Sequence, residues 1–181
     1  GAQNIDFPLM ASPTCLEIIT NPLLINIIEG AFEDKAKLTS CFYQKKILGS
    51  KTGLKAHRDE GNGIAVIHYL TPPSYATGAT KLFKSSHNEK DGESTIKAKI
   101  EDAKYYGEDV LNNYSSESVA SQPAGTTLIF WANIIHSVPP FSIPGREVIM
   151  SDWLPASNNE YKKSYHILSS QSLRGMDKRM F

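Results

Sequence analysis

Four residues could do chemistry together. His57 and Asp59 are separated by Arg58; His136 lies 77 positions after Asp59, and Arg146 ten beyond that. Two imidazoles and one carboxylate are the protein half of a facial triad, which leaves three positions open on an Fe(II) ion. A guanidinium a short loop past the distal His is a planar fork that suits a carboxylate. Each residue also has a bland role. A lone His is more often a hydrogen-bonding group than a ligand, Asp59 could cap a turn, and an exposed Arg pair is worth little. Their order and their strand-like surroundings favour one shared site.

Positioning these side chains falls to short β segments. Residues two apart on a strand point the same way, so His57 and Asp59 would project into one cavity if their segment is extended. Stretches near 41–48, 64–71, 79–84, 126–132 and 146–154 are rich in β-branched and aromatic residues and are separated by Gly, Pro, Asn and Ser. Ile64–Leu70 is almost continuously apolar, as expected of a strand buried on both faces. Gln122–Gly125 reads as a turn feeding the strand that ends before His136. The Pro-rich stretch after it suggests a hairpin that returns Arg146 to the same end of the fold. Before these strands, Asn21 and Pro22 open an amphipathic helix through Leu23, Leu24, Ile27, Ile28 and Phe32 that covers a sheet.

The expected fold is mainly β with flanking helices: a double-stranded β-helix, that is, a jelly-roll, cupin-like barrel. A single domain, 1–181, divides into an N-terminal helical flank (1–40), a barrel (about 41–156) and a C-terminal extension (157–181). An excursion at 85–124 interrupts the barrel. Ile96, Ile100, Ala103, Tyr106 and Val110 give it weak helical periodicity, and it reads as either a lid or a surface decoration. Gly1-Ala2 reads as a tag remnant. Trp131, Trp153 and His68 are expected in packing roles.

Bulk composition narrows the partners. Nineteen basic and 19 acidic residues cancel, so bulk charge offers nothing to a polyanion and nucleic acid is not an expected partner. The two cysteines make no disulfide framework, which points to a reducing, cytoplasmic setting. The apolar run Leu23–Ile28 is too short for a membrane span, and no signal-peptide pattern precedes it.

At the candidate ligands the sequence resembles the Fe(II)/2-oxoglutarate-dependent dioxygenases, in particular their prolyl-hydroxylase-like branch. The resemblance runs through LKAHRDE (54–60), IAVIHYLT (64–71), TGATKLF (77–83), PAGTTLIFWANIIHSVPP (123–140) and GREVIMSDWL (145–154). It implies that His57, Asp59 and His136 bind Fe(II), and that 2-oxoglutarate chelates the metal and reaches Arg146 with its far carboxylate. Tyr69 would add a hydroxyl to that carboxylate. O2 is the oxidant, ascorbate a possible reductant, and succinate and CO2 the by-products. The reaction implied is hydroxylation of a C–H bond in a peptide or small-molecule substrate, since halogenases of the family lack the carboxylate that Asp59 supplies. Two departures stand out: Val148 occupies the position where the plant-type branch carries Ser, and Ser85-Ser86-His87 resembles the phytanoyl-CoA hydroxylase branch. The competing readings are a cupin-like metal barrel without 2-oxoglutarate and an inactive barrel serving as a binding module. The first has no need of the carboxylate clamp that Arg146 and Tyr69 would form, and the intact ligand set argues against the second. The identity of the substrate and the oligomeric state stay open.

Overall fold

The computed structural model describes residues 2–6, 12–47, 53–59, 61–88, 95–97, 104–158 and 168–169. In chain order the elements are β1 (Ala2–Asp6), α1 (Pro13–Ile19), α2 (Pro22–Phe32), β2 (Ala36–Lys46), β3 (Leu54–His57), β4 (Ile64–Tyr69) and β5 (Lys81–Phe83). They continue as β6 (Thr95–Lys97), β7 (Lys104–Tyr106), α3 (Glu108–Leu111), β8 (Ser116–Ser118), β9 (Thr127–Trp131), β10 (His136–Val138), β11 (Glu147–Pro155) and β12 (Leu168–Ser169).

Two antiparallel sheets form the double-stranded β-helix. The larger runs β1-β2-β11-β4-β9, with β12 also on β2; the smaller runs β6-β7-β3-β10-β5-β8. Alternation along the larger sheet sends its two side-chain sets to different places. Ile64, Val66, Ile149 and Trp153 meet Leu24, Ile25 and Ile28 of α2 on the outer face. Ala65, Ile67, Tyr69 and Val148 gather with Phe130 on the inner face, toward the smaller sheet. Burying each of the three α2 side chains contributes about 1.5–3 kcal/mol.

Asn21 caps α2, its Oδ1 accepting from the Leu23 N–H at 2.9 Å, with Pro22 in the first turn. Pro13–Phe32 is as long and apolar as a membrane span. It is nonetheless two helices broken at Thr20-Asn21, and Leu16, Ile19, Leu24, Ile25 and Ile28 are buried within the fold.

Several boundaries differ from expectation. The N-terminal flank is not only helical: β1, beginning at Ala2, pairs with β2, and β2 starts at Ala36. The helical periodicity of the excursion is overturned at Ile96 and Tyr106, which lie in β6 and β7, and its helix is confined to Glu108–Leu111. Ile100 and Ala103 fall outside the described residues. β-branched and aromatic content outweighed a spacing signal too sparse to specify a helix. In its described parts the excursion is built into the smaller sheet. β7 pairs with β3, β8 pairs with β5, and Tyr106, Leu111 and Tyr114 pack on Ala56, Phe83 and Ile135 behind the smaller sheet. In the C-terminal extension Leu168 and Ser169 pair with Leu38 and Lys37, so part of it returns to the sheet.

His136 and Arg146 are not joined by a hairpin within one sheet. β10 belongs to the smaller sheet and β11 to the larger, so the Pro-rich connection crosses between them. Gly53 lies under that connection, just before β3. A Cβ there would stand 2.1 Å from the Val138 carbonyl oxygen and 2.6 Å from Pro139 and Pro140 backbone atoms. Backbone cannot yield as a side chain can. Gly53→Ala is therefore expected to destabilise the fold by about 1–3 kcal/mol in urea melts, whereas Gly30→Ala, with nothing within 4 Å of the added carbon, should not.

Candidate metal centre and anion clamp

β3 and β10 pair so that His57 lies directly opposite His136. Directly opposed residues share a face, and the two ring centres are 4.2 Å apart. Asp59 sits two residues past the end of β3, where its N–H donates to the Ala132 carbonyl at 3.0 Å. Arg58 holds the same segment from behind: its guanidinium donates to the Ser86 carbonyl and lies 5.3 Å from the centre of the Tyr106 ring. Glu60 falls outside the described residues.

The three side chains converge. Asp59 Oδ1 is 3.5 Å from His57 Nε2, and Asp59 Oδ2 is 3.5 Å from His136 Nε2. One ligand atom from each residue lies within 4.8 Å of the other two. The far nitrogens decide the tautomers. His57 Nδ1 is 2.8 Å from the Lys55 carbonyl, and His136 Nδ1 is 3.0 Å from the Ile134 carbonyl. A carbonyl only accepts, so both Nδ1 atoms carry hydrogen and both Nε2 lone pairs face Asp59. That is how metal-binding imidazoles are oriented.

The electrostatics agree with a site made for a cation. Burial alone would raise the Asp59 carboxyl, but the two imidazoles outweigh it and hold the group below its usual range. Burial also pulls His57 down, yet Asp59 and the Lys55 carbonyl bring it out above the ordinary imidazole value. His136 is held low by burial and by the charge of His57.

Arg146 lies just before β11 and is 3% exposed. Its Nε has no hydrogen-bond partner, and among the described residues no carboxylate pairs with it. Its guanidinium carbon stands 5.6 Å from the centre of the Tyr69 ring. Burial lowers its pKa, opposed by the Tyr69 hydroxyl; it remains a cation stripped of water. Tyr69 is fully buried. Its hydroxyl donates to Thr80 Oγ1 at 2.7 Å and accepts from the Thr80 N–H at 3.1 Å.

Two adjoining cavities meet at the triad, both lined by Asp59, His136, Met150 and Asp152. One, of about 370 Å³, runs to Thr80, Lys46 and Arg146. The other, of about 450 Å³, runs the opposite way to Thr39, Ala132, Trp153 and Leu154. Sequence reasoning missed Lys46, Thr80 and Asp152. Phe42, Gln44 and Lys46 alternate on β2 and all line the first cavity, a period-two signal that was available. Thr80 stands inside the TGATKLF segment. His68 faces elsewhere, its Nδ1 2.8 Å from Thr127 Oγ1, and Trp153 is core.

No protein-family model matches the chain, and no curated protein does. Solved structures do. The epimerase SnoN in complex with Fe3+, alpha ketoglutarate and nogalamycin RO is similar at TM-score 0.71 and 14% identity, over 94% of this chain and 77% of that one. EctD from S. alaskensis with bound Fe is similar at TM-score 0.68 and 14% identity, over 86% and 58%. The non-heme monooxygenase ThoJ in its Ni complex is similar at TM-score 0.62 and 16% identity, over 85% and 58%. The chain spans 61% of the length of SnoN in a further structure of that epimerase. These likenesses carry the double-stranded β-helix fold.

Divalent metal binding tests the triad. Titration with Mn(II) should give one site, and His136→Ala should weaken it beyond the roughly 10- to 100-fold typical of losing only an outer-shell partner. A single-site affinity unchanged in the variant would exclude this centre.

Proposed function

We propose that the protein is a non-haem Fe(II)- and 2-oxoglutarate-dependent oxygenase that hydroxylates an unactivated C–H bond of a small-molecule or peptide substrate. The observation that carries this reading is Arg146: a desolvated guanidinium with an unpartnered Nε, in a cavity that it shares with Asp59 and His136 of the two-His, one-carboxylate triad. A buried cation without a counter-charge is costly. A dicarboxylate ligand would supply the missing charge at one end and metal-binding oxygens at the other. A cupin-like metal barrel would have no use for such a group.

The residues present fit this cosubstrate. His57, Asp59 and His136 would hold Fe(II), leaving three positions for 2-oxoglutarate and O2. Arg146 would take the far carboxylate. Because Tyr69 gives its proton to Thr80 Oγ1, the Thr80 hydroxyl hydrogen is left to donate into the cavity. Tyr69 then positions Thr80 as well as flanking Arg146. Lys46 lines the same end, and its ammonium is pulled below the ordinary lysine value by burial and by Arg146, the response of a cation that an anion would relieve. When bound, Fe(II) and 2-oxoglutarate supply the oxidising power, with O2 consumed, succinate and CO2 released, and one oxygen atom delivered to the substrate. Phe130, Met150 and Ile67 give this cavity an apolar wall. The similar structures include an enzyme described as an epimerase, so the fate of the substrate needs its own measurement.

With Fe(II), ascorbate and O2, the protein is expected to convert 2-oxoglutarate to succinate, and His57→Ala and Asp59→Ala to abolish this. Succinate absent at any metal loading would overturn the reading. Arg146→Met should weaken 2-oxoglutarate binding by about 30-fold or more, as expected for one partner of a buried charge pair, with Mn(II) affinity retained. Removing a desolvated cation that has no carboxylate partner among the described residues should also leave the ligand-free thermal midpoint equal or higher. Incorporation of label from 18O2 into the product separates hydroxylation from oxidation without oxygen transfer.

A further inference from the structure

The two cavities differ in charge. The 370 Å³ cavity ends in two cations, Lys46 and Arg146. The 450 Å³ cavity has no cationic side chain in its lining among the described residues, beyond the imidazoles of the triad. Its polar inventory is short. The Thr39 hydroxyl donates to the Asp152 carbonyl at 3.0 Å, and the Trp153 indole N–H donates to Ser151 Oγ at 3.0 Å. The Asp152 carboxylate is what remains to anchor a substrate there. It lines both cavities and stays exposed to them, while its Oδ2 accepts from the Ser40 hydroxyl on β2.

Asp152 is open to the cavity yet crowded by protein atoms. That lost hydration pushes its carboxyl above the usual range; Ser40 opposes the rise and the neighbouring Asp59 adds to it. Among the described residues no lysine or arginine forms an ion pair with Asp152. A carboxylate that faces the cavity without a cation of its own can pair with a positive charge brought by the ligand.

We propose that Asp152 selects substrates carrying a positively charged nitrogen, an alkylammonium or guanidinium, close to the carbon that reacts. This deepens the oxygenase reading and rests on it. The cationic end of the barrel takes the dianionic cosubstrate, and the anionic end takes the substrate's cation. The two ligands therefore enter sites of opposite sign and do not compete.

The test uses the full chain loaded with Mn(II) and 2-oxoglutarate, and reads the NMR line widths of n-butylammonium, n-butanol and butyrate. A paramagnetic ion broadens only probes held near it, so the readout needs no turnover. The wild type should broaden butylammonium about tenfold more than butanol and leave butyrate sharp, a preference of the size that charge pairing supplies. Asp152→Asn should lose most of that preference, and Asp152→Glu should retain it, with thermal melts reporting the folding of each. Equal broadening of butylammonium and butanol, or none with Mn(II) bound, overturns the inference while leaving the oxygenase reading intact. A preference that persists in Asp152→Asn overturns it as well. Should that variant fail to fold, the wild-type comparison of the three probes decides alone. Absence of Mn(II) binding by the wild type overturns the oxygenase reading, and this inference with it.

Discussion

The pairing of His57 with His136 across β3 and β10 is the contact on which the site depends. Side chains alternate along a strand, so a slip of one residue would send one imidazole to the outer face, among Ala56, Phe83 and Ile135. Much of the smaller sheet serves to hold that register. β5 pairs with β10 on one side, and β7 extends the sheet beyond β3 on the other. The Ser86 hydroxyl, itself buried, accepts from the Ile135 N–H and donates to the Phe83 carbonyl, pinning the start of β10 to β5. The excursion between β5 and β9 thus reaches the candidate metal centre, where Tyr105 of β7 lies opposite His57 with its ring centre 6.4 Å from the imidazole.

A second constraint is electrostatic. Arg146 is buried against Tyr69 with its Nε unpartnered, an arrangement expected to cost stability in the ligand-free protein and to favour an anion. The reciprocal bonds between Tyr69 and Thr80 keep the neighbouring hydroxyls in place before any ligand arrives, which reduces the ordering cost of binding. This is the pattern expected where stability has been traded for a preformed site.

How much of this the sequence discloses varies with the physics involved. The triad was legible because ligand chemistry restricts residue types and strand geometry restricts spacing: His57 and Asp59 could only share a cavity from an extended segment. Helix α2 was legible because its cap and its proline act locally. The bond of Tyr69 to Thr80 was not legible, since that pairing joins β4 to the segment before β5 and has no local signature. The crossing of the Pro-rich connection between sheets was hidden for the same reason, because a hairpin and a cross-sheet link can share one sequence. β6, β7 and β12 are two or three residues long and take their conformation from a neighbour's edge, so their own residues say little.

Asp152 and Arg146 lie six residues apart on or beside β11, roughly 20 Å by strand rise. Their even numbering puts both on the inner face, where both line the first cavity. One strand therefore presents a cation near its start and an anion near its end, with Met150 between them at the cavity junction. The triad does not depend on that strand for its orientation. Each imidazole is fixed by a carbonyl two residues back in its own segment, Lys55 for His57 and Ile134 for His136. The candidate metal ligands and the cavity charges of β11 are thus carried by different sheets. On the proposed reading, substitutions along β11 would change which molecule is held beside the metal without disturbing the geometry that would bind it.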